Sequence, residues 1–385
     1  MSRAVLDAHL EPGELELLEE CTRVGAAELG ALAAHADGLN RPLVRGLADA
    51  GLLSRLFAHG PEGWSPDVSA LELCLIREGL ARSCTEAESA FAVQGLGSFP
   101  ILQSGTHAAV EAWLPRLASG EAVAGFALSE PDAGTDVASM SLAAEPDGDG
   151  GYRLTGEKVW ISNAPDADVY SVFARTTPGA GARGLTAFLV PRDTPGLRGD
   201  ALRLISPHPI GRLVFEGAHV PAEYVLGEVD RGMGVAMRTL DMFRPSVGAG
   251  ALGMARAALD AALAHASSRR AFGRPLSDFQ AVSHRLADVA TRVQAARLLV
   301  HHAARAYDAG LRPVTQAAAM AKLMATEVAQ EAVDAAVQVH GARALEQGHL
   351  LEHLYREVRA PRIYEGTSEI QREIIARALF EEVSS

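Results

Sequence analysis

The chain has 385 residues, of which 48% are hydrophobic and 22% charged, with a formal net charge of −13. That balance predicts a globular chain with a sizeable buried core and argues against a disordered one. The acidic balance, without any Lys/Arg-rich run, argues against nucleic acid and anionic membranes as partners.

Residues 14 to about 120 are rich in Ala, Leu and Glu at helical spacing, as in ELELLEECTRVGAAELGALAAHA and ALELCLIREGLARS. From about 122 to 230 the texture turns β-like. Short runs such as AVAGFAL, YRLTGEKVWIS, DVYSVFAR, LTAFLVP and RLVFEGAHV are separated by turn-rich pieces such as PDGDGG and TTPGAGARG. After Gly234 helical texture returns and persists to the end. These textures predict an α+β, mainly α protein, with an N-terminal all-α domain over 1–121, a middle β domain over 122–232 and a C-terminal helical bundle over 233–385. No apolar run reads as a membrane span and no leader is expected. Cys21, Cys74 and Cys84 lack CxxC spacing, which predicts buried thiols and a reducing cytoplasm.

Gly248, Gly250 and Gly253 match GxGxxG, but a helical stretch and Pro245 precede them instead of a strand, so close helix packing is the expected role. His349, Glu352 and His353 match HxxEH without a companion acidic ligand, and His301 and His302 diverge on one helix. No metal site is expected.

Near the C-terminus, RAPRIYEGTSEIQREIIARALF places Glu365 in a short loop after Pro361 and before a helix. Ser368 and Gln371 read as a capping box, and Ile370, Ile374, Ile375 and Leu379 recur at helical spacing. By spacing alone Glu365 is either a solvated acid in a turn or a functional carboxylate. Gly366 directly after it would let backbone approach a ligand.

Four stretches, in order, resemble the acyl-CoA dehydrogenase family: LPRLASGEAVAGFALSEPDAGTDV, GEKVWISN, the run RPSVGAGALGMARAALDAALAHASSRRAFGRPLSDFQAVSHRLADV, and RIYEGTSEIQ. The resemblance covers essentially the whole chain. It implies an N-terminal helical domain, a middle β domain and a C-terminal four-helix bundle, with non-covalent FAD in a homotetramer built as a dimer of dimers. It implies FAD contacts from Phe126, Leu128, Ser129, Trp160, Ser162, Arg269, Phe272, Gln280, Gln338, Thr367 and Glu369. Strand alternation puts Phe126 and Leu128 on one side, and Trp160 and Ser162 on one side. Arg269 would reach the FAD pyrophosphate of a neighbouring subunit.

Thr135, Asp241, Arg244 and Gly366 fall at substrate positions, Arg244 being equally suited to bracing a carboxylate. Glu365 matches the general base that removes the α-proton of an acyl thioester while hydride passes from Cβ to flavin N5. Met242 and Phe243 cannot be bases at the position some members use, which leaves Glu365. The expected substrate is an acyl-CoA or an acyl-carrier-protein thioester, with electrons passing to an electron-transferring flavoprotein. Two alternatives stand: a flavin oxidase on the same fold and a non-catalytic flavin scaffold. The chain departs from the pattern at LRLISPHPIGRLVF, with Pro207 and Pro209, and at QVHGARA, where Arg343 stands in place of a common small or polar residue.

Overall fold

The computed structural model describes residues 3–34, 38–60, 63–148 and 150–384. His35 and Ala36, at the end of the first helical run, and Asp149, in the PDGDGG turn, lie outside the described residues. The chain forms two compact units, each assembled from separated stretches: Met1–Gly30, Ser69–Glu88 and Asp241–Ser385 in one, Ala31–Val68 and Ser89–Leu240 in the other.

The first unit is helical. Its centre is made by the long helix that ends at Ser268 and by Gln280–Asp308 and Thr315–His340, while the last helix, Ser368–Ser384, lies against Thr315–His340 with most of its side chains outside the apolar core. Small side chains such as Ala255, Ala258, Ala325 and Ala329 interleave with Leu252, Val293 and Val333 in one continuous apolar core. Leu18 of Pro12–Val24 and Leu71, Cys74 and Leu75 of Ala70–Ser83 belong to the same core. The GxGxxG glycines serve this packing. A Cβ on Gly248 would fall 2.9 Å from Val300, and one on Gly253 would fall 2.4 Å from the Glu78 carbonyl oxygen. Only hydrogen fits at either position.

Charge is buried here too. Glu78, fully buried, accepts from Arg297 Nε at 2.7 Å, lies 3.2 Å from His301 Nε2 and also pairs with Arg256. Burial alone would raise its pKa, but the surrounding cations hold it well below the carboxylate range. His301 is thereby committed to a structural contact, as are His349, which accepts from Leu351 N–H at 3.1 Å, and His353, 2.6 Å from Thr85 Oγ1. Glu352 pairs with Arg356. Cys21, Cys74 and Cys84 are buried thiols.

The second unit carries an eight-stranded sheet. Its main path runs Val225–Leu226, Leu185–Pro191, Val169–Arg175, Ala143–Pro146, Tyr152–Ser162, Ile210–Val220, Leu197–Leu202. The short strand Ala124–Ala127 pairs in parallel with Val169–Arg175, in the register Phe126 opposite Ser171. Val169–Arg175 and Leu185–Pro191 are buried along nearly their whole length, so both faces of the sheet are covered there. Tyr152–Ser162 is buried more unevenly, and its pairing slips between Leu154 and Thr155 and again between Lys158 and Ile161, where Val159 and Trp160 oppose the single residue Arg212.

One expectation is corrected. Gly232–Ser268, at 37 residues, is long and apolar enough to cross a bilayer by length and composition, although the sequence read as lacking such a run. Its apolar residues arise from packing on several sides, since 67% of its most apolar window is buried.

Candidate active site

In the helical unit, the loop carrying Glu365 is held from behind. Glu365 has φ 52° and Gly366 φ 93°, two consecutive left-handed residues that turn the chain sharply into the last helix. The Gly366 carbonyl accepts from Lys322 Nζ at 2.6 Å and from Gln371 Nε2 at 3.0 Å. The Glu365 carbonyl accepts from Arg244 Nε and Gln371 Nε2, each at 3.4 Å. Donors from three helices thus fix two successive peptides.

The expected capping box forms differently. The helix starts at Ser368, so Thr367 is its cap, with Ile370 N–H 3.4 Å from Thr367 Oγ1. Ser368 Oγ donates to Glu327 at 2.6 Å instead, and Gln371 is drawn back to the loop carbonyls. Tertiary partners outcompete the local cap because both side chains are buried, where an unpaired polar group costs more than a cap returns.

Two oxygens at this loop escape such satisfaction, Gln371 Oε1 and one oxygen of the Glu365 carboxylate. The Glu365 Oε2 is buried and has no hydrogen-bond partner among the described residues. Burial raises its pKa, against the opposing pull of Arg77, Lys322 and Arg244. Arg77 is paired to Glu88 at 2.6 Å and donates to Ser246 Oγ at 2.8 Å. Arg244, 5% exposed, lies 3.4 Å from Asp241, whose Oδ2 accepts from Thr315 Oγ1 at 3.3 Å. The structure therefore brings together Glu365, Gly366, Thr367, Arg244 and Asp241, with Glu369 exposed one residue past Ser368.

Three residues were not singled out from sequence, Arg77, Glu88 and Lys322, and Gln371 was read only as part of a cap. A signal existed for two of them, since Arg77 in LCLIREGL and Lys322 in AAAMAKLMA are lone cations in apolar helical runs.

Arg269, Phe272, Gln280 and Gln338 lie at another end of the same unit. Sixteen residues of helix between Lys322 and Gln338 span roughly 24 Å at the α-helical rise. Phe272, at the tip of the Arg270–Ala271 and Arg274–Pro275 hairpin, is 96% exposed with φ 51°. Arg269, Gln280 and Gln338 are exposed. Nearby, the His265 and His340 rings stack at 4.2 Å, and His340 and His349 lie 5.6 Å apart. Burial lowers the His265 pKa, reinforced by the positive fields of His340, Arg343, Arg269 and His349. Arg269 and Arg343, both close enough to act on His265, give this end of the bundle cationic groups suited to an anion.

In the sheet unit, Lys158 Nζ donates to the Leu128 carbonyl at 2.8 Å and to Glu130 at 2.9 Å, while Glu130 also accepts from the N–H groups of Ser141 and Leu142. The Ser129 carbonyl accepts from Val159 N–H at 3.0 Å. Ser129 is therefore fixed on both sides with its side chain partly exposed. Two alternation arguments need correction. The strand ends at Ala127, so Leu128 is buried at 8% while Phe126 is partly exposed. Trp160 sits in the bulge with φ 56°, so its 51% exposure follows from the irregularity rather than from strand alternation with Ser162. Ser162 Oγ lies 2.7 Å from His208 Nε2, in the loop with Pro207 and Pro209. Burial pushes His208 down to about 4, so its ring is neutral at pH 7. Thr135 is exposed in a turn.

The chain matches known proteins along nearly its whole length. Three family models match in order: "Acyl-CoA dehydrogenase, N-terminal domain" over residues 12–121, "Acyl-CoA dehydrogenase, middle domain" over 125–218 and "Acyl-CoA dehydrogenase, C-terminal domain" over 230–380. The cyclohexane-1-carbonyl-CoA dehydrogenase of Geobacter metallireducens is 36% identical, covering 96% of this chain and 98% of its own length. The solved butyryl-CoA dehydrogenase from Megasphaera elsdenii superposes with a TM-score of 0.90 at 34% identity, covering 96% of this chain and 99% of that one. A chain in the structure of the electron transferring flavoprotein of Acidaminococcus fermentans superposes with a TM-score of 0.88 at 33% identity, covering 96% of this chain and 98% of that one.

Proposed function

The chain belongs to the acyl-CoA dehydrogenase family, and from that premise we propose that it desaturates an acyl-CoA between Cα and Cβ with Glu365 as the base. It is a FAD-dependent oxidoreductase acting on a CH–CH group. The observation that carries the assignment of the base is the buried, unpartnered Glu365 Oε2 on a loop whose two carbonyls are pinned. A carboxylate oxygen left without a donor among the described residues, on a pinned loop, is free to accept a proton from carbon.

Glu365 would take the α-proton, and its backbone N–H would donate to the thioester carbonyl as negative charge develops there. FAD, when bound, supplies the two-electron acceptor for the hydride leaving Cβ. The residues present fit that group. Trp160 and Phe272 expose flat apolar faces, and Arg269 and Arg343 stand among the cationic groups at the bundle end, suited to a pyrophosphate. Ser129 and Ser162 offer hydroxyls on the sheet unit, and Thr367 and Glu369 flank the base. Arg244 and Asp241 would bear on the substrate, with Arg244 also bracing the Glu365 peptide.

The separation of Arg269 and Gln338 from Glu365 along the bundle supports the reading that they complete a neighbouring subunit's FAD site in a homotetramer. The likeness to a chain in an electron transferring flavoprotein structure supports such a flavoprotein as the electron acceptor. Anaerobic bleaching of the bound flavin by a panel of acyl-CoA and acyl-carrier-protein thioesters tests the reading. Bleaching by an acyl-CoA is expected, and a yellow protein inert to every thioester overturns it.

A further inference from the structure

The charges of three cations favour the ionised Glu365 carboxylate, and two of them already have carboxylates of their own. Arg77 is bound to Glu88 and Arg244 to Asp241. Lys322 differs. It is fully buried on the Thr315–His340 helix, and its one hydrogen bond among the described residues goes to the Gly366 carbonyl. Glu327, one and a half turns on, is committed to Ser368 and Arg362. A buried ammonium without a carboxylate partner is costly, and a leucine or methionine would pack better in that apolar run. Of the carboxylates acting on Lys322, Glu365 acts most strongly, ahead of Glu327 and Glu369.

Resting on the reading of Glu365 as base, we propose that Lys322 is a positioning residue for it: the ammonium fixes the Gly366 peptide and so holds a positive charge without a carboxylate partner one residue from the base. The hydrogen bond to the Gly366 carbonyl, one residue from the base, carries the placement, and the electrostatic direction agrees with it. With Gln371 the ammonium fills both lone pairs of the Gly366 oxygen, which holds the left-handed pair at residues 365 and 366. Its charge favours the ionised form of Glu365, the form that can accept the α-proton. Burial lowers Lys322 to about 8, so it keeps its proton at neutral pH. The groups facing this centre are Arg77 and Glu88, Asp241 and Arg244, Lys322 and Glu327, Tyr364, and Glu369. None of the other cations can replace Lys322 without abandoning its own carboxylate or leaving its helix.

The test uses FAD-loaded protein carrying Lys322→Met, Lys322→Gln or Lys322→Arg. Flavin reduction by the best acyl-CoA is followed by stopped flow from about pH 5 to about pH 9, with Glu365→Gln alongside. Lys322→Met should move the acid limb of the reduction rate upward by about one pH unit, a roughly tenfold loss below the limb. Lys322→Arg, which keeps the charge, should return the limb toward its original position. Infrared titration of the substrate-free protein gives a second readout: the carboxyl band missing in Glu365→Gln should titrate at higher pH in Lys322→Met. A purely structural lysine would lower the melting temperature and the rate at every pH without moving either midpoint.

Lys322→Gln, which keeps a donor and loses the charge, decides by the same criterion where Lys322→Met does not accumulate. Unmoved midpoints in the neutral variants, with Glu365→Gln inactive, overturn the proposal alone. A Glu365→Gln protein reducing flavin at the wild-type rate overturns the assignment of the base.

Discussion

Gln371 and Gly366 are locked together: a Cβ built on the glycine would fall 2.6 Å from Gln371 Nε2, the atom that donates to the Gly366 carbonyl at 3.0 Å. Gly366 also has φ 93°, which an L-residue adopts only with strain. Gly366→Ala should therefore displace the amide and tilt the Glu365 loop, at a cost of about 1–2 kcal/mol from the backbone alone. The expected result is a lower melting temperature together with slower flavin reduction at unchanged FAD content. Full activity in Gly366→Ala would show that the clasp does not position the base.

Glu365→Gln should keep FAD and still bind thioester while losing flavin reduction by about 10³-fold. The amide is nearly the same shape but cannot take the α-proton. Phe243 and Met242 provide no substitute, so rescue should require a carboxylate introduced by Phe243→Glu. Stopped-flow reduction with the best thioester measures it. A rate near wild type would make Asp241 the first suspect, since its carboxyl is also raised by burial.

The pH dependence follows from the direction of the Glu365 shift. Because burial raises its pKa above the ordinary 4.5, the acid limb of flavin reduction should lie above that value. The sign for stability is opposite to that for activity. The folded state holds a proton that the unfolded state releases, so this group's contribution is full below the unfolded pKa and is lost as pH rises through the folded one. Glu365→Gln removes that loss and should melt higher than wild type at neutral pH. Equal melting temperatures in thermal scans at acidic and neutral pH would contradict the shift.

Arg269→Ala should weaken FAD retention about tenfold or more, the scale of one charge-assisted hydrogen bond to phosphate. Flavin released on ultrafiltration at matched protein concentration measures it. Light scattering of the FAD-saturated protein should give a tetramer, and a stable, FAD-saturated monomer would refute the placing of Arg269 and Gln338 at a neighbour's site.

The amino-acid sequence alone determined the order of textures, helical then β then helical, because hydrophobic period is a local property of the chain. It also pointed to Glu365 through the likeness of RIYEGTSEIQ to the family's terminal signature, since the short, glycine-followed loop by itself fits a solvated acid equally. Contacts between distant residues were decided only in three dimensions. Pro12–Val24 and Ala70–Ser83 share a core with the C-terminal helices, which no local period reveals. Ser368 and Gln371 looked like a cap and became partners of Glu327 and the loop carbonyls, because burial makes tertiary hydrogen bonds worth more than local ones. Trp160 is presented by a bulge invisible to strict alternation. Lys322, 43 residues before the base, reaches the next peptide's oxygen only because two helices pack side by side, and the low-dielectric interior between them is what lets one ammonium act on the carboxylate.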